Sequence, residues 1–247
     1  FHAVAPMQEQ PSDVPHLSVV IPAFNEEKRL GGTLARVLDY LSAQPYTWEL
    51  LVVDDGSDDA TGEVARAAVG AHPVRVLRNE PNRGKGYSIR RGMLEARGRY
   101  RLFSDADLST PIEELDAFWP YFDQGFAAVI GSRALAESRL EVRQSSLREA
   151  MGRLYNACVR LLLVDGIRDT QCGFKMFTAE AADAVFPAQT MHGFSFDVEI
   201  IMLAQRAGFR VKEQPVRWIN APGSKVSPWN GAQAFVDLLA LKLRRRP

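Results

Sequence analysis

The regular alternation of short apolar segments with amphipathic segments, over about the first hundred residues, is the feature that most constrains the fold of this chain. The apolar segments predict strands at residues 17–22, 48–54, 74–78 and 100–104. Apolar residues at helical spacing predict helices between them, at residues 26–41, 58–69 and 86–96. Later in the chain, the sequence predicts a helix at about residues 145–164 and a strand at residues 211–219. Strands separated by helices form βαβ units, so we expect an α/β fold with a mostly parallel, Rossmann-like sheet covered on both faces.

The composition is that of a globular protein without a general attraction to polyanions. Hydrophobic residues make up 46% of the 247 residues, which is enough for a sizeable core. The 30 basic and 30 acidic residues cancel, so no net charge draws the chain to nucleic acid or to an anionic membrane. Cys158 and Cys172 form neither a metal-type cluster nor a disulfide framework, and we therefore expect a reducing compartment.

Acidic turn residues follow three of the predicted strands. These turns are Pro22-Ala23-Phe24-Asn25-Glu26, Asp54-Asp55-Gly56-Ser57 and Asp105-Ala106-Asp107. The carboxyl ends of parallel strands meet at one edge of a sheet, where ligands of α/β proteins bind, so the three turns predict a binding site. Asp55 to Ser57 taken alone are also explained by an ordinary turn with a helix cap.

Asp105 and Asp107 are separated by one residue, so in an extended segment both carboxylates point the same way. They can then converge on one cation or on a metal-bound phosphate. The competing interpretation is a solvated acidic turn before a helix that starts at Ser109-Thr110-Pro111. That start explains Ser109 or Thr110 but not the acidic pair.

The segment Asn82-Arg83-Gly84-Lys85-Gly86 is rich in glycine and basic residues but fits neither the P-loop pattern nor the dinucleotide-binding pattern. Two interpretations stay open. One is a flexible loop that enters a helix. The other is a loop that offers Lys85 to a phosphate or a base.

The three acidic turns and this glycine-rich segment, in this order and at these intervals, resemble the family 2 inverting glycosyltransferases, which have the GT-A fold. Within that family, three later segments resemble the dolichyl-phosphate β-glucosyltransferases: Gly131-Ser132-Arg133, residues 169–175 and residues 218–226. The related mannosyltransferases typically carry a proline in place of Thr170 or Gln171, so the sequence favours glucose.

The resemblance implies a metal-dependent, inverting transfer of glucose from UDP-glucose to a polyprenyl (dolichyl-type) phosphate. It implies one GT-A domain over residues 16–247, with a nucleotide-sugar-binding half at 16–131 and an acceptor-side half at 132–247. Residues 1–15, polar and rich in proline, are expected to be a disordered leader. Asp107 is implied as a direct ligand of Mg²⁺ or Mn²⁺, with Asp105 directed to the ribose or a metal-bound water. The residues implied to contact the donor are Pro22, Ala23, Glu26, Asp54, Lys85 and Asp105.

A lipid phosphate is already an anion near neutral pH, so its attack needs cations rather than a base. Arg133 and Arg148 match family positions that contact phosphate, and Lys225 is a third candidate. Asp197 and Glu199 lie where members of the family that use hydroxyl acceptors keep a catalytic base. Both acids also lie at a predicted helix start, where an acidic side chain serves as a cap, so Asp197 is either a base or a cap.

Several other functions are alternatives to the transfer of glucose to a lipid phosphate. Mannosyl transfer from GDP-mannose and transfer to a hydroxyl acceptor are the enzymatic alternatives. A nucleotidyltransferase would need a basic, glycine-rich loop near the first strand, where Phe24-Asn25-Glu26 stands instead. A non-catalytic nucleotide-binding module would not need the intact pair Asp105 and Asp107.

The last predicted helix, residues 229–246, bears on where the protein acts. Its apolar side either lies on a membrane surface or packs on the core, and its basic end resembles a cytoplasmic flank. No run approaches the roughly 18 apolar residues of a spanning helix. We therefore expect a peripheral protein at the cytoplasmic face of a membrane, with no nucleic-acid partner. The apolar residues in question are Trp229, Phe235, Leu238, Leu239, Leu241 and Leu243.

Overall fold

A seven-stranded sheet forms the centre of the computed structural model, which describes residues 14–70, 72–140, 157–219 and 228–243. The strand order is β3-β2-β1-β4-β7-β5-β8. β7 is antiparallel to its neighbours β4 and β5, and every other pair in the sheet is parallel. The strands are β1 (Leu17–Ala23), β2 (Trp48–Asp54), β3 (Val74–Arg78), β4 (Tyr100–Ser104), β5 (Ala128–Ser132), β7 (Phe174–Thr178) and β8 (Val211–Pro215).

Two short strands, β6 (Arg139–Leu140) and β9 (Arg217–Trp218), pair in parallel outside this sheet. The helices are α1 (Glu27–Ser42), α2 (Thr61–Ala67), α3 (Lys85–Glu95), α4 (Trp119–Asp123), α5 (residues 157–162), α6 (Ala179–Val185), α7 (Phe196–Arg206) and α8 (Pro228–Leu243). A 3₁₀ helix spans Ile112–Ala117. Among the described residues, no helix is both long and apolar enough to cross a membrane.

The core lies on both faces of the sheet because successive strand residues point to opposite sides. In β1, Val19 and Ile21 belong to one apolar cluster and Val20 to the other, and all three are fully buried. Helices α1 and α2 cover the first cluster, whereas α3, α6 and α7 cover the second. The predicted fold class, an α/β fold with a mostly parallel sheet covered on both faces, is confirmed.

Three predicted elements differ from the structure. Helix α2 begins at Thr61 instead of residue 58, because the N–H groups of Asp58 and Ala60 donate to side chains of the turn after β1 and the start of α1. The strand predicted at 211–219 is divided, since residues 211–215 pair with β5 whereas Arg217 and Trp218 pair with β6 outside the main sheet. Of the helix predicted at about 145–164, residues 157–162 are helical and residues 145–156 lie outside the described part.

Gly92, on α3, allows this helix to lie close to the sheet. A Cβ atom at this position would overlap Cγ1 of Val20 and lie 3.1 Å from Cγ2 of Val53. Gly32, on α1, has no atom within 4 Å of its corresponding position. Both glycines lie within helices, but only the position of Gly92 lacks space for a side chain.

We expect Gly92→Ala to destabilise the protein by about 1–3 kcal/mol, because the added methyl group overpacks the interface between α3 and the sheet. Gly32→Ala is the control, and it should be neutral or stabilising by up to about 1 kcal/mol, since alanine is the better helix former. Urea unfolding of both variants measures the difference. Equal stabilisation by the two substitutions would contradict the close packing.

Candidate active site

The three acidic turns meet at one edge of the sheet, as predicted. They follow β1, β2 and β4, which are adjacent in the strand order β2-β1-β4. The turn after β1 is fixed to the turn after β2: the N–H of Asn25 donates to Oγ of Ser57 at 3.0 Å, and Asn25 Oδ1 accepts from the N–H of Asp58 at 2.9 Å. Asn25 has a φ of 52°, a left-handed conformation that asparagine tolerates. Hydrogen bonds thus hold the turns after β1 and β2 against each other.

The residues predicted to line a uridine site lie on this edge. Pro22 and Ala23 are buried in β1, so at most their backbone is offered to a ligand. The Glu26 carboxylate forms an ion pair with Arg29 at 2.5 Å. Their contact with a nucleotide stays a prediction.

Asp54 is enclosed by protein partners. Its carboxylate is 1% exposed, accepts from the N–H of Ser57 at 2.9 Å and pairs with Nη1 of Arg78 at 2.5 Å. Arg78, which is 38% exposed, also donates to the carbonyl of Ser57. Arg78 therefore covers the carboxylate that is predicted to accept from a base N–H, and this role of Asp54 stays a prediction.

Asp55 holds the glycine-rich loop, a role that the sequence did not reveal. Its carboxylate accepts from the backbone N–H of Arg83 at 3.0 Å and of Gly84 at 2.8 Å, and from the Asn79 side chain at 2.7 Å. The ordinary turn and cap proposed for Asp55 therefore understates its function. The local sequence around Asp55 gave no indication of this role, because the partners of its carboxylate lie in the segment that follows β3.

The glycines of that loop permit close packing rather than a phosphate cradle. A Cβ on Gly84 would lie 2.6 Å from the carbonyl oxygen of His192, and a Cβ on Gly86 would lie 2.6 Å from that of Met191. The His192 carbonyl also accepts from the N–H of Gly86 at 2.7 Å. The N–H groups of Gly86 and Tyr87 in the first turn of α3 thus donate to the protein itself, so a ligand would meet side chains of the loop, such as that of Lys85, instead of these N–H groups.

Lys85 and Asp105 form an ion pair, with Nζ 2.5 Å from Oδ1. Burial by itself lowers the pKa of Lys85, but the carboxylates of Asp105, Asp197 and Asp107 outweigh it and raise the pKa. The ammonium group is therefore charged at neutral pH. The structure brings together the predicted donor-binding lysine and the first aspartate of the Asp-x-Asp pair.

Asp107 lies in a hydrogen-bonded turn. Its Oδ1 accepts from the N–H of Ser109 at 2.9 Å, and Leu108 between them has a φ of 46°. The Ser109 carbonyl accepts from the N–H of Ile219 at 2.7 Å, so the chain beyond β9 closes on this turn. The hydroxyl groups of Ser109 and Thr110 do not cap the following 3₁₀ helix, for which Pro111 is the N-terminal boundary.

Asp105 and Asp107 fit a hard divalent cation such as Mg²⁺ or Mn²⁺. Both side chains are partly exposed, and carboxylate oxygens are the ligands that such ions prefer. In the described part of the chain no group of three or more His, Cys, Asp and Glu residues could hold a metal. Two carboxylates nevertheless suffice for Mg²⁺, which takes its other ligands from substrate phosphates and water.

Arg133 is gripped by Asp169. Nε and Nη2 of the guanidinium donate to the two carboxylate oxygens at 2.7 and 2.9 Å, and the backbone N–H of Arg133 donates at 3.0 Å. Burial alone raises the pKa of Asp169, but Arg133 outweighs it and lowers the pKa to about 2. The Trp218 ring lies 5.6 Å from the guanidinium carbon. The two hydrogen bonds from the guanidinium to Asp169, which we call the fork, fix the orientation of Arg133 and use two of its five N–H donors.

Asp197 is the counter-ion of a buried lysine. Its carboxylate, 4% exposed, pairs with Nζ of Lys175, which is fully buried. Ser195 is the N-cap of α7, and Asp197 lies in the first turn, where a carboxylate interacts favourably with the helix dipole, so the choice between base and cap stays open. Burial raises the pKa of Asp197 against the opposing charges of Lys175 and Lys85. A raised pKa suits a base, yet this carboxylate is buried and already paired with Lys175.

Three predicted site residues remain: Glu199, Arg148 and Lys225. Glu199 is fully buried and accepts from the backbone N–H groups of Thr190 and Met191, at 3.0 and 2.7 Å, so it fixes the loop that packs on Gly84 and Gly86. Arg148 and Lys225 lie outside the described residues, and their phosphate contacts stay predictions.

Comparison with known proteins agrees with this arrangement. The profile of Glycosyl transferase family 2 matches residues 18–186. The chain is 40% identical to dolichyl-phosphate beta-glucosyltransferase of Drosophila melanogaster, over 92% of this chain and 74% of that protein. It is 38% identical to the Homo sapiens protein of the same name, over 94% of this chain and 76% of that protein.

Among solved structures, the chain is similar to glucosyl-3-phosphoglycerate synthase from Mycobacterium tuberculosis, in complex with Mn²⁺, uridine diphosphate and glucosyl-3-phosphoglycerate. The TM-score is 0.67 at 20% sequence identity, over 92% of this chain and 80% of the other. At this identity the likeness concerns the fold, and it confirms the GT-A architecture.

The pairing of Asp169 with Arg133 predicts a specific loss of stability in acid. The pKa of Asp169 falls from 3.8 to about 2 on folding, so the unfolded chain takes up the proton first as the pH is lowered. The contribution, about 2 kcal/mol, is complete above about pH 5 and is lost as the pH falls toward 2.

Asp169→Asn should therefore be less stable than the wild type at pH 7, with the gap closing between about pH 4 and 2. Urea midpoints measured across this range test the expectation, with the exposed acid substitution Asp123→Asn as the control. A gap that is constant with pH would refute the assignment.

Proposed function

This chain belongs to glycosyl transferase family 2 and is a glycosyltransferase, and we propose that it transfers glucose from UDP-glucose to a dolichyl-type polyprenyl phosphate with inversion at the anomeric carbon. The observation that carries the proposal is its identity of 34–40% to proteins named dolichyl-phosphate beta-glucosyltransferase, over more than nine-tenths of the chain. The charges of the site fit this reaction.

The donor diphosphate would bind at the edge formed by β1, β2 and β4. Asp105 and Asp107 are the residues that would hold Mg²⁺ or Mn²⁺, which when bound supplies positive charge to the diphosphate oxygens of the leaving UDP. Lys85, paired with Asp105 at 2.5 Å, adds a second positive charge beside the same oxygens. Asp54 and Arg78 together would contact the uracil, whose ring carries both donors and acceptors.

The acceptor would supply its own nucleophile. A phosphate oxygen attacks the anomeric carbon, the new bond forms on the face opposite the leaving group, and the electrons of the broken C–O bond leave with UDP. The second pKa of a phosphate monoester is about 6, so no proton has to be removed at pH 8. The burial of Asp197 against Lys175 supports this assignment, because it leaves that carboxylate poorly placed to act as a base.

Two anionic groups must approach each other in this reaction, and Arg133 is the cation placed to offset their repulsion. Its guanidinium is held in one orientation by Asp169, with three N–H donors not used by the fork. Arg148 and Lys225 are proposed to act with it.

The choice of donor and acceptor tests the proposal. Purified protein is incubated with a short polyprenyl phosphate or with the corresponding alcohol, and with UDP-glucose or GDP-mannose. We expect transfer only from UDP-glucose to the phosphate, complete loss of activity on chelation by EDTA, and recovery with Mg²⁺ or Mn²⁺. Faster transfer to the alcohol would assign a hydroxyl acceptor, and preference for GDP-mannose would assign a mannosyltransferase.

We also propose that α8 contacts the surface of a membrane, which would carry a lipid acceptor. The helix packs on the core through Leu238 and Leu241, whereas Val236, Leu239 and Leu243 are 58%, 58% and 82% exposed. An outward apolar side on a helix that carries Lys242 in its last turn is typical of interfacial helices. Trp229 and Phe235 have side chains outside the described part, and the cytoplasmic location stays a prediction.

Replacing Leu239 and Leu243 with glutamate should reduce binding to anionic phospholipid vesicles at least tenfold, because two exposed apolar contacts are lost and two negative charges are added. Co-flotation with vesicles measures the bound fraction. Leu94→Glu, at an exposed leucine of α3, is the control. Unchanged flotation of the double variant would remove α8 from the membrane contact.

A further inference from the structure

The fully buried ion pair of Lys175 and Asp197 lies directly beneath the candidate active site. Lys175 is in β7 and Asp197 is in the first turn of α7, and their side chains are 0% and 4% exposed. A buried ion pair often stabilises a protein no more than apolar residues of the same size would. Such a pair in the core therefore suggests a role other than general stability.

Lys175 has a second partner that indicates this role. Its Nζ donates to the carbonyl oxygen of Cys172 at 2.6 Å, so the lysine ties α7 to the segment that precedes β7. We call residues 169–173 the brace. The ammonium group of Lys175 thus binds the brace at the carbonyl of Cys172, and Asp197 holds that ammonium group in position.

The brace touches both charged centres of the site. At one end, Asp169 grips Arg133 through two hydrogen bonds to the guanidinium. At the other end, the carbonyl of Gly173 accepts from the N–H of Asp105 at 3.1 Å, and a Cβ on Gly173 would overlap the Asp105 carboxylate. The position of the brace therefore determines where Asp105 and Arg133 lie relative to each other.

A second connection runs through Lys85. This side chain pairs with Asp105, and Asp197 is one of the charges that act on it. Asp197 thus lies near two lysines, one of which holds the brace and the other the carboxylate of Asp105. Removing the buried pair would disturb Asp105 from both sides.

We propose that Lys175 and Asp197 are positioning residues that hold the brace, and through it set Asp105 and Arg133 at the separation that a metal-bound diphosphate and an incoming phosphate require. The inference rests on the proposed function for the identity of these ligands. It concerns only how this chain places its own side chains.

The test separates stability from positioning. Lys175→Met and Asp197→Asn, made singly, leave an unpaired buried group and should each lower the melting temperature by roughly 10 °C. The double variant Lys175→Met/Asp197→Leu removes both charges and fills the space with apolar groups of similar length. Its melting temperature should return to within about 3 °C of the wild type.

Binding of UDP in the presence of Mn²⁺, measured by titration calorimetry, then reports on positioning. In the double variant we expect the dissociation constant to rise at least tenfold and the turnover number to fall at least tenfold, despite the restored melting temperature. The matched control is Arg101→Met/Asp183→Asn. Arg101 is also a buried cation, in the neighbouring strand β4, which pairs with Asp183 and donates to a backbone carbonyl, that of Met93.

Wild-type binding and turnover in a stable double variant would overturn the proposal. If the double variant does not fold, Gly173→Ala decides, because it moves the brace away from Asp105 without touching the buried pair; its control is Gly193→Ala, where no atom lies within 4 Å. A tenfold weaker affinity for UDP with Mn²⁺ supports positioning, and unchanged affinity refutes it. Absence of glucose transfer by the wild type would defeat the proposed function alone, since the affinities still test the pair.

Discussion

The matching of charges at the carboxyl edge of the sheet is the constraint on which the site depends. Neighbouring strands lie about 4.8 Å apart, and two carboxylates at about 5 Å repel each other by about 3 kcal/mol at an effective dielectric constant of 20. The structure pairs four buried or half-buried acids at or near this edge with a cation from another part of the chain, whereas Asp55 accepts from N–H groups. The pairs are Asp54 with Arg78, Asp105 with Lys85, Asp169 with Arg133, and Asp197 with Lys175.

The parts of the fold that the sequence predicted well are those with a strong local pattern. The strands β2, β3 and β4 begin and end where their apolar runs do, because each run is bounded by residues that favour turns. The insertion of β7 between β4 and β5 was not predictable in this way. Strand order depends on contacts between distant segments, and the local pattern of residues 174–178 fits a parallel or an antiparallel strand equally well.

The same division applies to the site. The acidic turns could be assigned to one edge from the βαβ pattern alone, since parallel strands end on the same side. Their partners could not be assigned, because Asp55 meets Gly84 and Asp197 meets Lys175 only after the chain has folded. Asp197 is an example. The sequence pattern allowed an acid at this helix start to be a cap or a base, but it gave no indication of its partner, a buried lysine on strand β7.

The place of β7 also orders the assembly of the molecule. The strands β3, β2, β1 and β4 come from residues 17–104 and pair only with one another on that side, so this half of the sheet can form as soon as it leaves the ribosome. β5, at residues 128–132, has no partner until β7 and β8 follow it in the chain. Closing such a long loop is slow, and the exposed edge of β4 has to wait for it. The edge formed by β1, β2 and β4 can therefore form early in synthesis, and β5, β7 and β8 are added later.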